Sequence, residues 1–392
     1  LKQAFLLVIL AFVAGCGGGK AANPINPQLS KLKQRAFVLN QYTSQIEILD
    51  SLHDVVFPTP INVNAASPQR LNKIGKVTLV TSPNSNVIQT VDDVNEITGT
   101  PFSLEGNIDS LVVSTTSAFA AISSAGAVAV VNFSNGSVNN VTVQPLVRRV
   151  AISHSFAKVL SFADNDNSIV VINTADNTTT TVNGFDRPYT AVFSADDSKA
   201  YVLNCGAECG GTASSVSVLD IASGTITTTV PVPGGATVGY SDGTNLYVAG
   251  NSYTGSTFNG SFVTPVGLSS LTAGTAVPIG FGLHTLMVPT SNNKIYIGAQ
   301  NCVNPAGTSP ANSGCLSIFT PSSGSVTVNP ATNSVGGPSG DVTGMALIPN
   351  RTVMYVAVGG ELVIYDINAD APLPLQNQLD FIGKIVDVEE VD

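Results

Sequence analysis

The sequence predicts an all-β fold closed into a ring, a β-propeller of four-stranded blades, and three observations lead there. Only 11% of the 392 residues are charged and there is no Trp, while Gly, Ser, Thr, Asn and Val abound and the helix formers Glu, Lys and Arg are scarce. β-branched side chains suit a pleated, half-buried surface, and Gly, Asn and Ser suit the turns between strands. Apolar strands centred near Phe37, Val77, Phe119, Val159, Tyr201, Tyr247, Tyr296 and Tyr355 follow one another roughly 40 to 60 residues apart, mostly near 42, the period of a propeller blade. Within each unit the same order recurs: a short apolar strand, a polar hairpin, the anchor strand, a third strand and a Thr/Val-rich fourth. A sheet of this kind has a buried face and exposed edges, and radial stacking into a ring buries the one and shields the other.

The elements run as follows. Lys2 precedes an apolar run from Ala4 to Val13, and small residues then lead to Cys16. A basic start, an apolar middle and small residues at the cut are the layout of a secretory signal, and about ten apolar residues are too few to cross ~30 Å of hydrocarbon. Val13-Ala14-Gly15-Cys16 resembles the lipobox of bacterial lipoproteins. That resemblance implies cleavage of residues 1–15 and acylation of Cys16, whose lipid would hold the protein on a membrane. Gly17 stands where the family's inner-membrane retention signal places Asp, which implies an exported protein at the outer membrane or cell surface of a bacterium. Residues 16–34 carry the lipidated Cys and a Gly/Pro/Asn-rich flexible tether. Residues 35–392 form the propeller domain.

Counting anchors gives eight units, with seven as the alternative because RLNKI is a poor first strand for the unit of Val77. The first unit begins at Arg35 without an inner strand. The C-terminal IVDVEEVD alternates apolar and acidic residues and is expected to supply that strand, closing the ring. The unit SKAYVLN…SSVSVLDIASGTITTTVPV resembles the YVTN-type β-propeller repeat, with YVLN, YVAG, YIGA and YVAV in place of YVTN. Asn173, Asp220 and Asp366 stand at the end of the third strand, where that family places an acidic or amide residue.

Beyond Cys16 there are four cysteines. An even number in an exported chain suggests disulfides. Cys205 and Cys302 both follow the anchor strand, and Cys209 and Cys315 precede the next strand in the same loops. Local pairs Cys205–Cys209 and Cys302–Cys315 are therefore expected, since cross-pairing would have to span a blade, beyond the ~7 Å Cα limit. These loops, and NSYTGSTFNGSF after Tyr247, should project from one rim, where binding groups tend to lie on a rigid scaffold.

Chemistry-bearing residues are few. A net charge of −10 repels phosphate backbones and argues against nucleic acid as a partner. Three histidines and no metal-ligand spacing argue against a metal centre, and no cofactor motif occurs. His154 is expected on the surface and His53 on an outer strand. The run Asp164-Asn165-Asp166-Asn167 reads as a β-turn rather than a calcium loop. Sliding the inner strands over one another aligns His284 with Arg148, Tyr189 and Thr343, and Arg149 with Thr190 and Thr285. Asp109 falls near the same level, and Arg187 and Asp341 lie two residues earlier. These positions ring the channel mouth, where Arg148, Arg149, Arg187, Tyr189, His284 and Asp341 would bind an anionic ligand, or cap a water-filled channel. The function expected is a binding or scaffold module of the cell envelope, its partner an envelope protein or polymer. Two alternatives stand beside it. One is a lactonase-type hydrolase using His284, Arg148, Arg187 and Asp109; the other is a structural surface-layer component. Nothing in the sequence demands catalysis.

Overall fold

The computed structural model describes residues 29–302, 315–329, 340–374 and 379–392. The lipobox, Cys16 and most of the tether lie outside them. The chain forms eight antiparallel sheets arranged as the blades of a ring. Blade 2 begins with the weak strand Arg70–Ile74, so the count is eight and not seven. The inner strands of blades 2 to 8 are Arg70–Ile74, Ser110–Val113, Val147–Ile152, Pro188–Phe193, Val238–Ser241, Leu283–Pro289 and Val342–Leu347. Blade 1 takes its inner strand from the C-terminus: Ile385–Glu390 pairs antiparallel with Arg35–Asn40. The ring is thus closed by the chain's own ends.

Second strands such as Arg35–Asn40, Lys158–Ala163 and Lys199–Asn204 are almost entirely buried, because both faces are covered by neighbouring blades. That is why they read as continuous apolar runs and not as alternation. The core lies between blades: Leu160 and Phe162 of blade 4 pack with Ala200, Val202 and Leu219 of blade 5. At the closure, Ala36, Leu49, Ile385 and Val388 of blade 1 pack with Tyr355, Ala357 and Ile364 of blade 8. An ion pair fastens the same seam: Arg351 Nη1 and Nη2 meet Asp54 Oδ1 and Oδ2 at 2.5 and 2.8 Å.

Because strands alternate in direction, the ring has two distinct faces. Inner strands begin at one face, called the mouth, and third strands also run from mouth to rear. The loops joining second to third strands are therefore at the mouth, and those joining third to fourth strands are at the rear. The first described residues enter at the rear. Ser30 donates its backbone N–H to Glu96 in a rear loop at 2.6 Å, and Leu32 packs on the core between blades 1 and 2.

Both cysteine pairs sit at bonding distance in mouth loops, with Cα separations of 5.7 Å for Cys205–Cys209 and 5.4 Å for Cys302–Cys315. The first closes a single 3-10 turn, Gly206–Cys209, which Gly206 enters at φ +54. The segment after Tyr247 is not a loop. It extends two strands, Asn245–Thr254 and Thr257–Gly267, into a hairpin that rises above the mouth.

Candidate functional site

The eight inner strands line a central channel of about 770 Å³. At its mouth five of these strands break register by one residue, between Val147 and Arg149, Pro188 and Thr190, His284 and Leu286, Val342 and Gly344, and Ile385 and Asp387. Each break is a β-bulge that leaves one residue unpaired and re-aims it. The bulged residues are Arg148, Tyr189, Thr285, Thr343 and, buried in the core of blade 1, Val386, and Gln69, Asp109 and Thr237 occupy the same height in blades 2, 3 and 6. Below them come Arg70, Ser110, Arg149, Thr190, Val238, Leu286, Gly344 and Asp387.

This register corrects the placement of His284. Its equivalents are Val147, Pro188, Ala236 and Val342, all buried, and not Arg148 or Tyr189. A slip of one residue turns a side chain to the other face of a strand. His284 is 1% exposed, and its Nε2 donates to the Gly280 carbonyl at 3.0 Å. Burial pulls its pKa down to about 4, with that hydrogen bond opposing, so the ring is neutral. Thr285, likewise, stands at the height of Arg148 and not of Arg149. The proposed acid–base set of His284, Arg148, Arg187 and Asp109 is therefore not brought together: His284 faces the interior of its blade. His154 is exposed on Asp197 of the rear face. His53 is on a rear turn and not on an outer strand, its Nδ1 2.8 Å from Asp50 Oδ2.

Arg148, Arg149, Tyr189 and Asp109 do converge, with Asp164 among them. Arg148 Nη1 meets Asp109 Oδ1 at 2.5 Å and its Nε lies 3.3 Å from Asp164 Oδ2. The hydrogen bond and charge of Asp109 raise the pKa of Arg148. Arg149 Nη2 meets Asp164 Oδ1 at 2.8 Å, its Nε donates to the Tyr189 carbonyl at 2.9 Å, and its guanidinium carbon lies 3.9 Å above the Tyr189 ring. The turn of residues 164–167 is thus tied to the arginines. Asp341 lies apart from them, accepting the backbone N–H of Asn301 at 2.7 Å.

Beside the channel, on the rim, is a notch of about 250 Å³ lined by Arg149, Ala163, Asp164, Asn165, Arg187, Pro188 and the Cys205–Cys209 pair. Arg149 borders both notch and channel. Asp186, next to Arg187, is bonded to the disulfide loop: its carboxylate accepts the backbone N–H of Ala213 at 2.8 Å and the N–H and hydroxyl of Thr212. These donors, opposing burial, keep its pKa below the usual carboxylate range.

Sequence reasoning missed a second polar group across the channel. Asp387 Oδ2 accepts the Leu71 N–H at 2.8 Å, and Arg70 Nη1 donates to the Thr343 carbonyl. Burial pushes Asp387 up to about 6 against the pull of Arg70. Glu389, two residues on, is pushed up to about 7 by burial and by the charge of Asp387. Glu208, also missed, projects from the disulfide turn. It accepts the backbone N–H and side-chain amide of Asn251 at 2.9 and 2.7 Å, and burial pushes it up to about 7. It thereby clamps the rising hairpin of blade 6 to blade 5.

No protein-family model and no curated protein matches the chain. Solved structures do. The dihydro-heme d1 dehydrogenase NirN in complex with DHE superposes with a TM-score of 0.69 at 12% identity, over 91% of this chain and 75% of that one. Apo AztD from Citrobacter koseri gives 0.60 at 10% identity, over 91% and 98%. The computationally designed Ika8 protein gives 0.61 at 12% identity, over 86% and 98%. At such identities the likeness is one of fold, and it agrees with an eight-bladed ring.

Proposed function

We propose that this protein is a lipid-anchored binding module of the bacterial envelope that presents its mouth face, away from the membrane, to a soluble ligand. One observation carries the reading: the chain enters at the rear face, at Ser30 and Leu32, while both disulfide loops, the long hairpin and the arginine notch stand on the opposite face. An anchor at Cys16 lies 14 residues before Ser30, a reach of at most about 50 Å. Lipid attached there would draw the rear face toward the bilayer and leave the mouth open to solution. The lipobox text and the YVTN-like strands support export and a surface role, as do the two cysteine pairs.

The test has two parts. Radiolabelled palmitate should enter the wild-type protein in cells and not Cys16→Ala, which should be recovered unanchored. A photo-crosslinking residue at Ser256, on the hairpin tip, should capture a ligand or partner, whereas one at Ala222, on a rear turn, should give lipid or nothing. Equal labelling of Cys16→Ala, or capture only from Ala222, would overturn the reading.

A further inference from the structure

The rim notch contains a cation whose guanidinium makes no hydrogen bond or salt bridge among the described residues, although its charge reaches Asp186. The chain has six arginines. Arg35 pairs with Glu96 and Asp392, Arg148 with Asp109, Arg149 with Asp164 and Arg351 with Asp54, and Arg70 donates to the Thr343 carbonyl. Arg187 differs from all of them: among the described residues its guanidinium makes no hydrogen bond or salt bridge, and its Nε is buried without an acceptor. A buried donor left unsatisfied costs free energy, and so rare a case in a folded protein calls for an explanation. The nearby carboxylates are engaged elsewhere: Asp164 on Arg148 and Arg149, and Asp186 on Thr212 and Ala213. The backbone around Arg187 is fixed. It sits at φ +56, its N–H donates to Asn167 Oδ1 at 3.1 Å, and its carbonyl accepts the Cys205 N–H at 3.0 Å. Gly211 lies against its side-chain stem, where a Cβ would come within 2.8 Å of Arg187 Cγ. The guanidinium is therefore held on a rigid frame beside an open notch.

We infer that the notch is an oxyanion site: a carboxylate or phosphate group of a small soluble ligand is held by Arg187, with Asn165 and Arg149 alongside, and the rest of the ligand extends over the channel mouth. The planar fork of a guanidinium matches such groups in a bidentate fashion. A volume of about 250 Å³ admits one such head group, and Arg149, which faces both spaces, marks the way into the larger channel. The inference rests on the reading of the mouth as the binding face, and it adds what that face recognises.

The experiment is calorimetric titration of inorganic phosphate and, separately, of succinate into the full-length protein in detergent micelles. One of the two should bind saturably at one site, with affinity falling as salt rises, and the preferred probe identifies the head group. Arg187→Gln should weaken it at least tenfold, whereas Lys199→Gln, on the rear face, should leave it unchanged. Asn165→Asp puts a carboxylate into the notch itself; it should abolish the binding and raise the melting temperature. This variant keeps the test valid if Arg187→Gln folds poorly. Absence of saturable binding to either probe, or unchanged binding in both notch variants, overturns the oxyanion site. If Ser256 still captures a partner in that event, the mouth-face reading survives without it.

Discussion

Deleting the C-terminal strand should unfold the whole ring and not merely one blade. A chain ending at Lys384 loses Ile385, Val386, Val388 and Val391, which are 0 to 5% exposed. Each such side chain contributes roughly 1.5–3 kcal/mol on burial, so the loss is about 6–12 kcal/mol, an upper estimate because unfolded chains already bury some surface. Domain stabilities are typically about 5–15 kcal/mol in total. Truncation also removes Asp392 from Arg35 and opens Arg35–Asn40 as a bare strand edge. The milder Ile385→Ala should cost about 2–5 kcal/mol. Far-UV circular dichroism against urea is the assay, since there is no Trp to follow. A truncated protein that melts cooperatively within a few degrees of full length would refute the closure argument.

Reducing the cysteine pairs should lower stability by about 2 kcal/mol for the four-residue separation of Cys205–Cys209 and about 3 kcal/mol for the 13-residue separation of Cys302–Cys315, read from urea midpoints with and without reductant. Non-reducing peptide mapping should find these two pairs and no cross-pair. The His284 ring should show no titration by NMR between pH 5 and 8, and His284→Ala should destabilise the fold without changing anion binding. Stability should fall as pH rises from about 4 to about 7. Asp387, Glu389 and Glu208 hold their protons more tightly folded than unfolded, so the unfolded chain ionises first, and Asp387 alone accounts for about 3 kcal/mol. Together they outweigh buried His284, which the unfolded chain protonates first and which pulls the other way. Melting temperatures across that range should show the slope, and Glu389→Gln should flatten it. Below pH 4 the trend should reverse, as Asp197, held down at about 2 by its hydrogen bonds to Ser155 and His154, takes up its proton.

The blade count was legible because burial on both faces makes each second strand a continuous apolar run, and the spacing of those runs marks the blades. The closing strand was legible too, since Arg35 begins a unit without an inner strand and IVDVEEVD has the alternation to supply one. The channel mouth was legible only to within one residue. Bulges at Arg148, Tyr189, Thr285, Thr343 and Val386 carry no mark of their own in the sequence: Arg, Tyr, Thr and Val fill the same place. Sliding apolar runs over one another cannot register an extra residue, and His284 was thereby turned from the blade interior toward the channel. Arg70 and Asp387 escaped notice for a different reason. They are 317 positions apart and adjacent only because the ends of the chain meet. Arg187 was picked out by its position, but its want of a partner is a property of three dimensions alone.

The division between the two faces follows from how the ring is built. Rear turns such as residues 194–198 and 220–224 are short and bonded within themselves, with Asp196 on Ser194 and Ser198 and Asp220 on Ser223. They leave few polar groups free for a ligand. At the mouth the inner strands are released from their register by bulges, so a residue there can change without disturbing the ladder below it. The disulfide turn, clamped to the blade 6 hairpin through Glu208 and Asn251, supplies a wall that short turns lack. Rigidity below and freedom above let a ring of small, weakly charged strands hold one unpaired guanidinium in place. The oxyanion site therefore requires no movement of the propeller, and ligand binding should leave the far-UV spectrum unchanged while raising the melting temperature.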